Sequence, residues 1–116
     1  MASVTSLGEL ERAVMNVLWE TDRDMTAREV QDQLADRDLA TTTVLTVLGR
    51  LERKQLVQRM RDGRAHHYRP VASREDHVAE LMTDALDDAP DRGAALARFL
   101  GGMTEEERSR LRDLLG

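Results

Sequence analysis

The chain has 116 residues, of which 41% are hydrophobic and only 3% aromatic, and its formal net charge is −5. That is about one domain's worth of chain, with room for one modest core, and its aliphatic composition favours helices packed on Leu, Val, Ala and Met. The absence of cysteine excludes disulfide frameworks, thiolate nucleophiles and cysteine-based zinc sites, while no apolar run approaches the roughly 18 residues of a membrane span and no signal-peptide pattern opens the chain, so a cytoplasmic location is expected.

A first helix is expected from Ser6, which fits a capping box with Glu9; Leu10, Val14, Met15, Val17 and Leu18 then recur at helical spacing through Trp19. Asp22–Asp24 breaks the pattern. Thr26 with Glu29 is a second box, opening a helix that turns Val30 and Leu34 inward and ends near residues 36–38. The third helix should run from about Thr42 to Lys54, with Val44, Val47, Leu48 and Leu51 on its inner face. Thr41, Thr42, Thr43 and Thr46 crowd its start. Threonine is a mediocre helix former, so the cluster needs a reason. One threonine is expected as the N-cap, and the others as short polar groups on an exposed helix start.

The period then changes. Leu56–Arg61 and Ala65–Arg69 are short strand-like runs, and the Asp62-Gly63 dipeptide between them is a strong hairpin signal, expected as the central pair of a type I′ turn. Three helices followed by a basic hairpin is the order of a winged helix-turn-helix.

Three more helices are expected after the hairpin. Ser73 with Asp76 starts one whose stripe is Val78, Leu81, Met82, Ala85 and Leu86, closed by Ala89-Pro90. A short one near 93–100 carries Ala95, Leu96, Phe99 and Leu100 and stops at Gly101-Gly102. Thr104 with Glu107 begins the last, which carries Leu111, Leu114 and Leu115. Such short amphipathic segments find too little partner surface in one chain, and burial against a second copy is the economical solution. The expected fold is therefore mainly α with a small β-hairpin wing. An N-terminal winged helix-turn-helix DNA-binding domain covers 1–72 and a three-helix dimerisation region covers 73–116. The dimer contacts would come from Leu81, Leu86, Leu96, Phe99, Leu100, Leu111, Leu114 and Leu115.

The charge distribution supports this division. Residues 1–40 and 73–116 each carry a net −5, whereas residues 41–72 carry +5 from Arg50, Arg53, Lys54, Arg59, Arg61, Arg64 and Arg69 against Glu52 and Asp62. Salt screens charge beyond about 10 Å, so a basic segment can bind phosphate while the rest of the molecule stays acidic. In helix-turn-helix proteins the second helix of the motif presents its N-terminal residues to base edges in the major groove. Here these are Thr42, Thr43, Thr46 and, a turn later, Arg50, whose hydroxyls, methyls and guanidinium suit base edges. Arg61 and Arg64 flank the hairpin bend and are expected to clamp phosphates, supplying affinity and register.

The histidines point to no metal site. His66 and His67 are neighbours in a strand and face opposite ways, and His77 with Glu80 is a single i, i+3 pair. No catalytic constellation stands out, so neither an enzyme nor a cofactor is expected. A winged-helix module that binds protein instead of DNA remains the alternative. It would tolerate loss of Arg61 or Arg64 and bind nucleic acid with little salt dependence.

The run from Thr42 to Lys54 resembles the recognition helix of the BlaI/MecI (penicillinase repressor) family, with its T-V-x-T-x-L-x-R-L-x-x-K core. Glu9–Trp19 is similar to that family's L-E-x-x-V-M-x-x-L-W segment, and His67-Tyr68-Arg69-Pro70 to its post-wing Y-x-P. The resemblance covers nearly the whole chain. It implies a homodimeric repressor on a palindromic operator, relieved in the antibiotic-resistance members by proteolysis in the dimerisation region downstream of a membrane sensor. The family's scissile Asn-Phe bond falls at Arg98-Phe99, where Arg replaces Asn. Copper-responsive relatives use C-terminal cysteines, which this chain lacks.

Overall fold

The computed structural model describes residues 7–116. Among them are six α-helices and one two-stranded antiparallel hairpin: α1 (Glu9–Glu20), α2 (Ala27–Gln33), a 3-10 turn (Ala35–Arg37), α3 (Thr41–Arg53), β1 (Val57–Asp62), β2 (Ala65–Pro70), α4 (Arg74–Asp87), α5 (Arg92–Gly101) and α6 (Glu105–Leu115). Two compact units emerge, one ending at Leu81 and one spanning Met82–Gly116, so the boundary between them falls inside α4.

Most helix starts follow the local chemistry of the sequence. Thr26 and Glu29 close a reciprocal capping box, with the Glu29 amide donating to the Thr26 hydroxyl at 3.1 Å and the Thr26 amide to the Glu29 carboxylate at 3.0 Å. Thr104 and Glu107 repeat it at the head of α6, and Ser73 accepts from the Asp76 amide at the head of α4. Two starts differ from expectation. The cap expected at Ser6 lies outside the described residues; α1 begins at Glu9 after Gly8, whose amide donates to Glu11 Oε1 at 2.9 Å. No threonine caps α3. Its N-cap is Ala40, whose carbonyl takes the Thr43 and Val44 amides.

In the first unit, α1, α2 and α3 enclose one core with the base of the hairpin. Val14, Met15, Leu18, Val30, Val44, Leu48 and Leu51 are all but inaccessible, and Val57 and Tyr68 extend the core into the strands. Met25 forms a bridge to Tyr68 through paired backbone hydrogen bonds of 3.0 and 2.7 Å, a one-residue third strand that ties the wing to the helices. The exit from α3 is fixed by Gln55 at φ 64°. The Gln55 amide returns to the Glu52 carbonyl and the Leu56 amide to the Leu51 carbonyl, a Schellman termination that aims the chain into β1.

The hairpin corrects the expected turn. Asp62 pairs with Ala65 and Arg61 with His66, so the central residues are Gly63 and Arg64. Only Gly63 takes a positive φ, at 65°. That is the type II′ pattern, which needs glycine at the first central position; Asp62 is the last residue of β1.

The first half of α4 docks on Trp19. The Trp19 indole N–H donates to the Ala72 carbonyl at 3.1 Å, Arg74 lies over the indole ring at 5.5 Å, and the rings of His77 and Trp19 are 5.3 Å apart. In the second unit, Asp91 caps α5 by accepting from the Ala94 amide. No residue of α5 or α6 is buried. Met82, Ala85, Leu86, Ala95, Leu96 and Phe99 line an apolar cleft of about 270 Å³. Among the described residues no helix is long and apolar enough to cross a membrane.

Candidate nucleic-acid interface

The side of α3 opposite the core carries Thr42, Leu45, Thr46, Gly49, Arg50 and Arg53. Thr42, Thr46, Arg50 and Arg53 are exposed, Thr43 is half-buried at the edge of the face, and Leu45 is 45% exposed. The expected residues Thr42, Thr46 and Arg50 therefore share an accessible surface, with Thr43 at its border. Leu45, Gly49 and Arg53 were missed. Their signal was present in the sequence, since 42, 46, 49 and 53 repeat with helical period and Leu45 is the one large apolar residue of α3 outside the inner stripe.

Two threonines have part of their hydrogen-bonding capacity engaged. Thr46 Oγ1 donates to the Thr42 carbonyl at 2.9 Å, which leaves its oxygen lone pairs and its methyl for a ligand. Thr41 Oγ1 donates to Gln31 Oε1 at 2.6 Å, while Gln31 Nε2 donates to the Leu39 carbonyl. Gln31 of α2 thereby steadies the start of α3. At its other end, Lys54 Nζ reaches Glu11 Oε1 at 2.9 Å. Burial pushes the Glu11 carboxyl up, but the Gly8 amide and the Lys54 ammonium outweigh it and hold the group below the usual carboxylate range. Glu11 thus joins the head of α1 to the tail of α3, and both ends of the Thr-rich helix are held by the core unit.

The wing has two faces, set by its register. Val57, Arg59, Arg61, His66 and Tyr68 share one; Gln58, Met60, His67 and Arg69 share the other. Arg59 lies 3.5 Å from Glu52 of α3, so the Arg59 and Arg61 face is the one that borders α3. Arg61 Nε donates to the Gly63 carbonyl at 3.2 Å, and Arg64 stands exposed at the bend. Arg69 bonds Gln58 on the opposite face. Arg50, Arg53 and Arg64 have no ion-pair partner among the described residues. The arrangement is a helix edge of short polar and apolar groups beside a rim of arginines.

The expected dimer contacts are surface residues of this chain. Leu81, Leu86 and Leu111 are half-buried, while Leu96, Phe99, Leu100, Leu114 and Leu115 are exposed, the last two at 75% and 80%. Arg98 and Phe99 are both exposed within α5, and the Gly102 amide folds back onto their carbonyls at 3.3 and 3.2 Å. Of the histidines, His77 is buried against Trp19, and His66 and His67 sit on opposite wing faces.

The penicillinase repressor family model matches residues 7–116. The chain is 50% identical over 119 residues to the transcriptional regulator BlaI of Mycobacterium tuberculosis, covering 99% of this chain and 86% of that protein. Among solved structures, it is similar to the DNA-binding domain of the repressor BlaI, with 26% identity and a TM-score of 0.55 over 66% of this chain and 93% of that one. A MarR family protein from Bacillus stearothermophilus shares the fold at 24% identity and a TM-score of 0.53, over 94% of this chain and 70% of that one.

Proposed function

The chain belongs to the penicillinase repressor family, and we propose that it acts as a homodimeric transcriptional repressor in the cytoplasm, binding a palindromic operator. Thr42, Thr43, Thr46 and Arg50 meet base edges in the major groove, and Arg61 and Arg64 grip the backbone beside it. One observation carries this reading: the outward side of α3 borders the wing face of Arg59 and Arg61, and that surface belongs to the only segment with net positive charge. The functional division is a DNA-binding part over 1–72 and a dimerising part over 73–116, which opens with α4.

Dimerisation would use the apolar stripes that α4, α5 and α6 leave uncovered, including Leu96, Phe99 and Leu100. Repression would be lifted by cleavage at Arg98-Phe99 through a regulatory protease downstream of a membrane sensor. That bond lies in the last turn of α5, so a protease must first unwind the turn held by Gly102.

The test is selection of bound fragments from the organism's own DNA, followed by titration of the selected duplex against full-length protein over a range of salt concentrations. Supporting results are a twofold-symmetric site, two chains per duplex and an affinity that falls steeply with salt. A stable monomer at micromolar concentration with no preference among duplexes would refute the proposal.

A further inference from the structure

The middle of the outward α3 face is apolar and low. Leu45 is 45% exposed although it sits on the polar side of an amphipathic helix. One turn on, Gly49 interrupts the interior of α3. Glycine is among the weakest helix formers, and nothing inside the protomer calls for it: a Cβ built there would have only an Arg53 guanidinium nitrogen near it, at an ordinary 3.9 Å. Its φ is not positive either. Beside them, Thr46 has its hydroxyl hydrogen committed to the helix and retains its methyl, and Arg50 and Arg53 border the strip. An exposed leucine, a threonine methyl and a missing Cβ make an apolar saddle framed by cations.

Resting on the proposed function, we infer that this saddle reads thymine: Leu45 and the Thr46 methyl pack against thymine 5-methyl groups on the groove floor, and Gly49 lets the duplex approach the helix backbone. The occupant is DNA because an uncharged apolar partner would gain nothing from the arginine border, whereas the major groove offers apolar methyls between two rows of phosphate. Hydroxyl readout at Thr42 and apolar readout at Leu45 would then be neighbouring parts of one specificity surface.

The experiment uses the duplex obtained by genomic selection, with each thymine replaced in turn by deoxyuridine, which removes only the methyl. Full-length protein should lose about fourfold in affinity per contacted methyl, or about fifteenfold when both half-sites are substituted. Leu45→Ala should lose discrimination at the thymine that Leu45 contacts and keep it where the Thr46 methyl makes the contact. Gly49→Ala should raise the thermal unfolding midpoint yet weaken operator binding, a combination that a purely structural role cannot give. Retention of full thymine discrimination by Leu45→Ala overturns the assignment of Leu45, and wild-type affinity in Gly49→Ala overturns that of Gly49. If Leu45→Ala alters the oligomeric state while leaving discrimination intact, the occupant is a second copy and the inference is wrong. Absence of duplex binding by the unmodified protein would instead remove the proposed function itself.

Discussion

The two units of this chain solve the problem of apolar surface in opposite ways. In the first, thirteen apolar side chains between Val14 and Tyr68 are buried, and the stripes of α1, α2 and α3 face one another. In the second, from Met82 onward, α5 and α6 bury no residue, and Leu114 and Leu115 stand open to solvent. Such exposed apolar side chains are what the proposed dimer would cover. The first unit covers its apolar stripes itself; under the proposed function the second would cover its own against another copy. Position and pairing are thus separable properties, the one built by local packing and the other by association.

The largest test removes the completing part. A chain ending at Arg98 loses Phe99, Leu100 and all of α6 and should become monomeric. Each copy would then bind a half-site alone and forfeit an effective-concentration advantage of about 10²–10⁴ in operator affinity. Sedimentation together with DNA titration measures both quantities. The contrast between units collapses if the 1–98 fragment still dimerises and binds like the full chain.

A smaller effect separates the two kinds of burial. Leu48, fully buried, should cost about 2–5 kcal/mol when changed to Ala, at any protein concentration. Leu114→Ala should leave the unfolding midpoint of dilute protein nearly unchanged. At high concentration it should lower the midpoint, because association stabilises only by mass action. Thermal melts across a hundredfold range of concentration distinguish these outcomes, and a concentration-independent loss for Leu114 would mean that α6 packs within its own chain.

Where the structure could be read from the sequence, the reason is locality. The inner stripes of α1 and α3, the boxes at Thr26 and Thr104 and the existence of the wing all follow from residues within a few positions of one another. The hairpin was legible but its register was not, because an Asp-Gly pair announces a turn without saying which two residues are central; Gly63 settles it by being first. Ala40 caps α3 by backbone alone, leaving no side-chain signature. The Glu11–Lys54 link joins residues far apart in sequence, as does the Met25–Tyr68 bridge, and neither has a local pattern. Leu45 falls outside the inner stripe of Val44, Val47, Leu48 and Leu51, and its exposure shows only once the neighbours of α3 are placed.

Within the first unit, the readout helix and the wing should fail differently. Thr46→Ala should cost about 1–3 kcal/mol on the operator and little on random duplex. Arg64→Ala should weaken binding to every sequence and reduce the salt slope by about one. Titrations on specific and random DNA at several salt concentrations check this, and equal losses from both substitutions would erase the distinction between reading and gripping.

The smallest expected effect concerns the docking of the first half of α4 on Trp19, inside the first unit. His77 packs on Trp19 with its Nδ1 unpaired. Burial holds it below its ordinary value of 6.5, with Glu80 opposing and Arg12 adding to the depression. The unfolded chain therefore takes a proton near pH 6.5 while the docked histidine resists it, and stability must decline as pH falls through 6.5 toward the lower folded value. Above about pH 7 the group is neutral in both states and has no such effect. Trp19 is the single tryptophan and reports directly on this docking. Between pH 7.5 and 5.5, the melting midpoint seen by its fluorescence should drop in the unmodified protein and stay flatter in His77→Phe, which keeps a ring against the indole. Glu9, Glu11 and Glu29, all held below 4.5, titrate outside that window. Identical pH slopes in the two proteins would mean that docking of α4 adds nothing to the first unit, whose stability would then end at the wing.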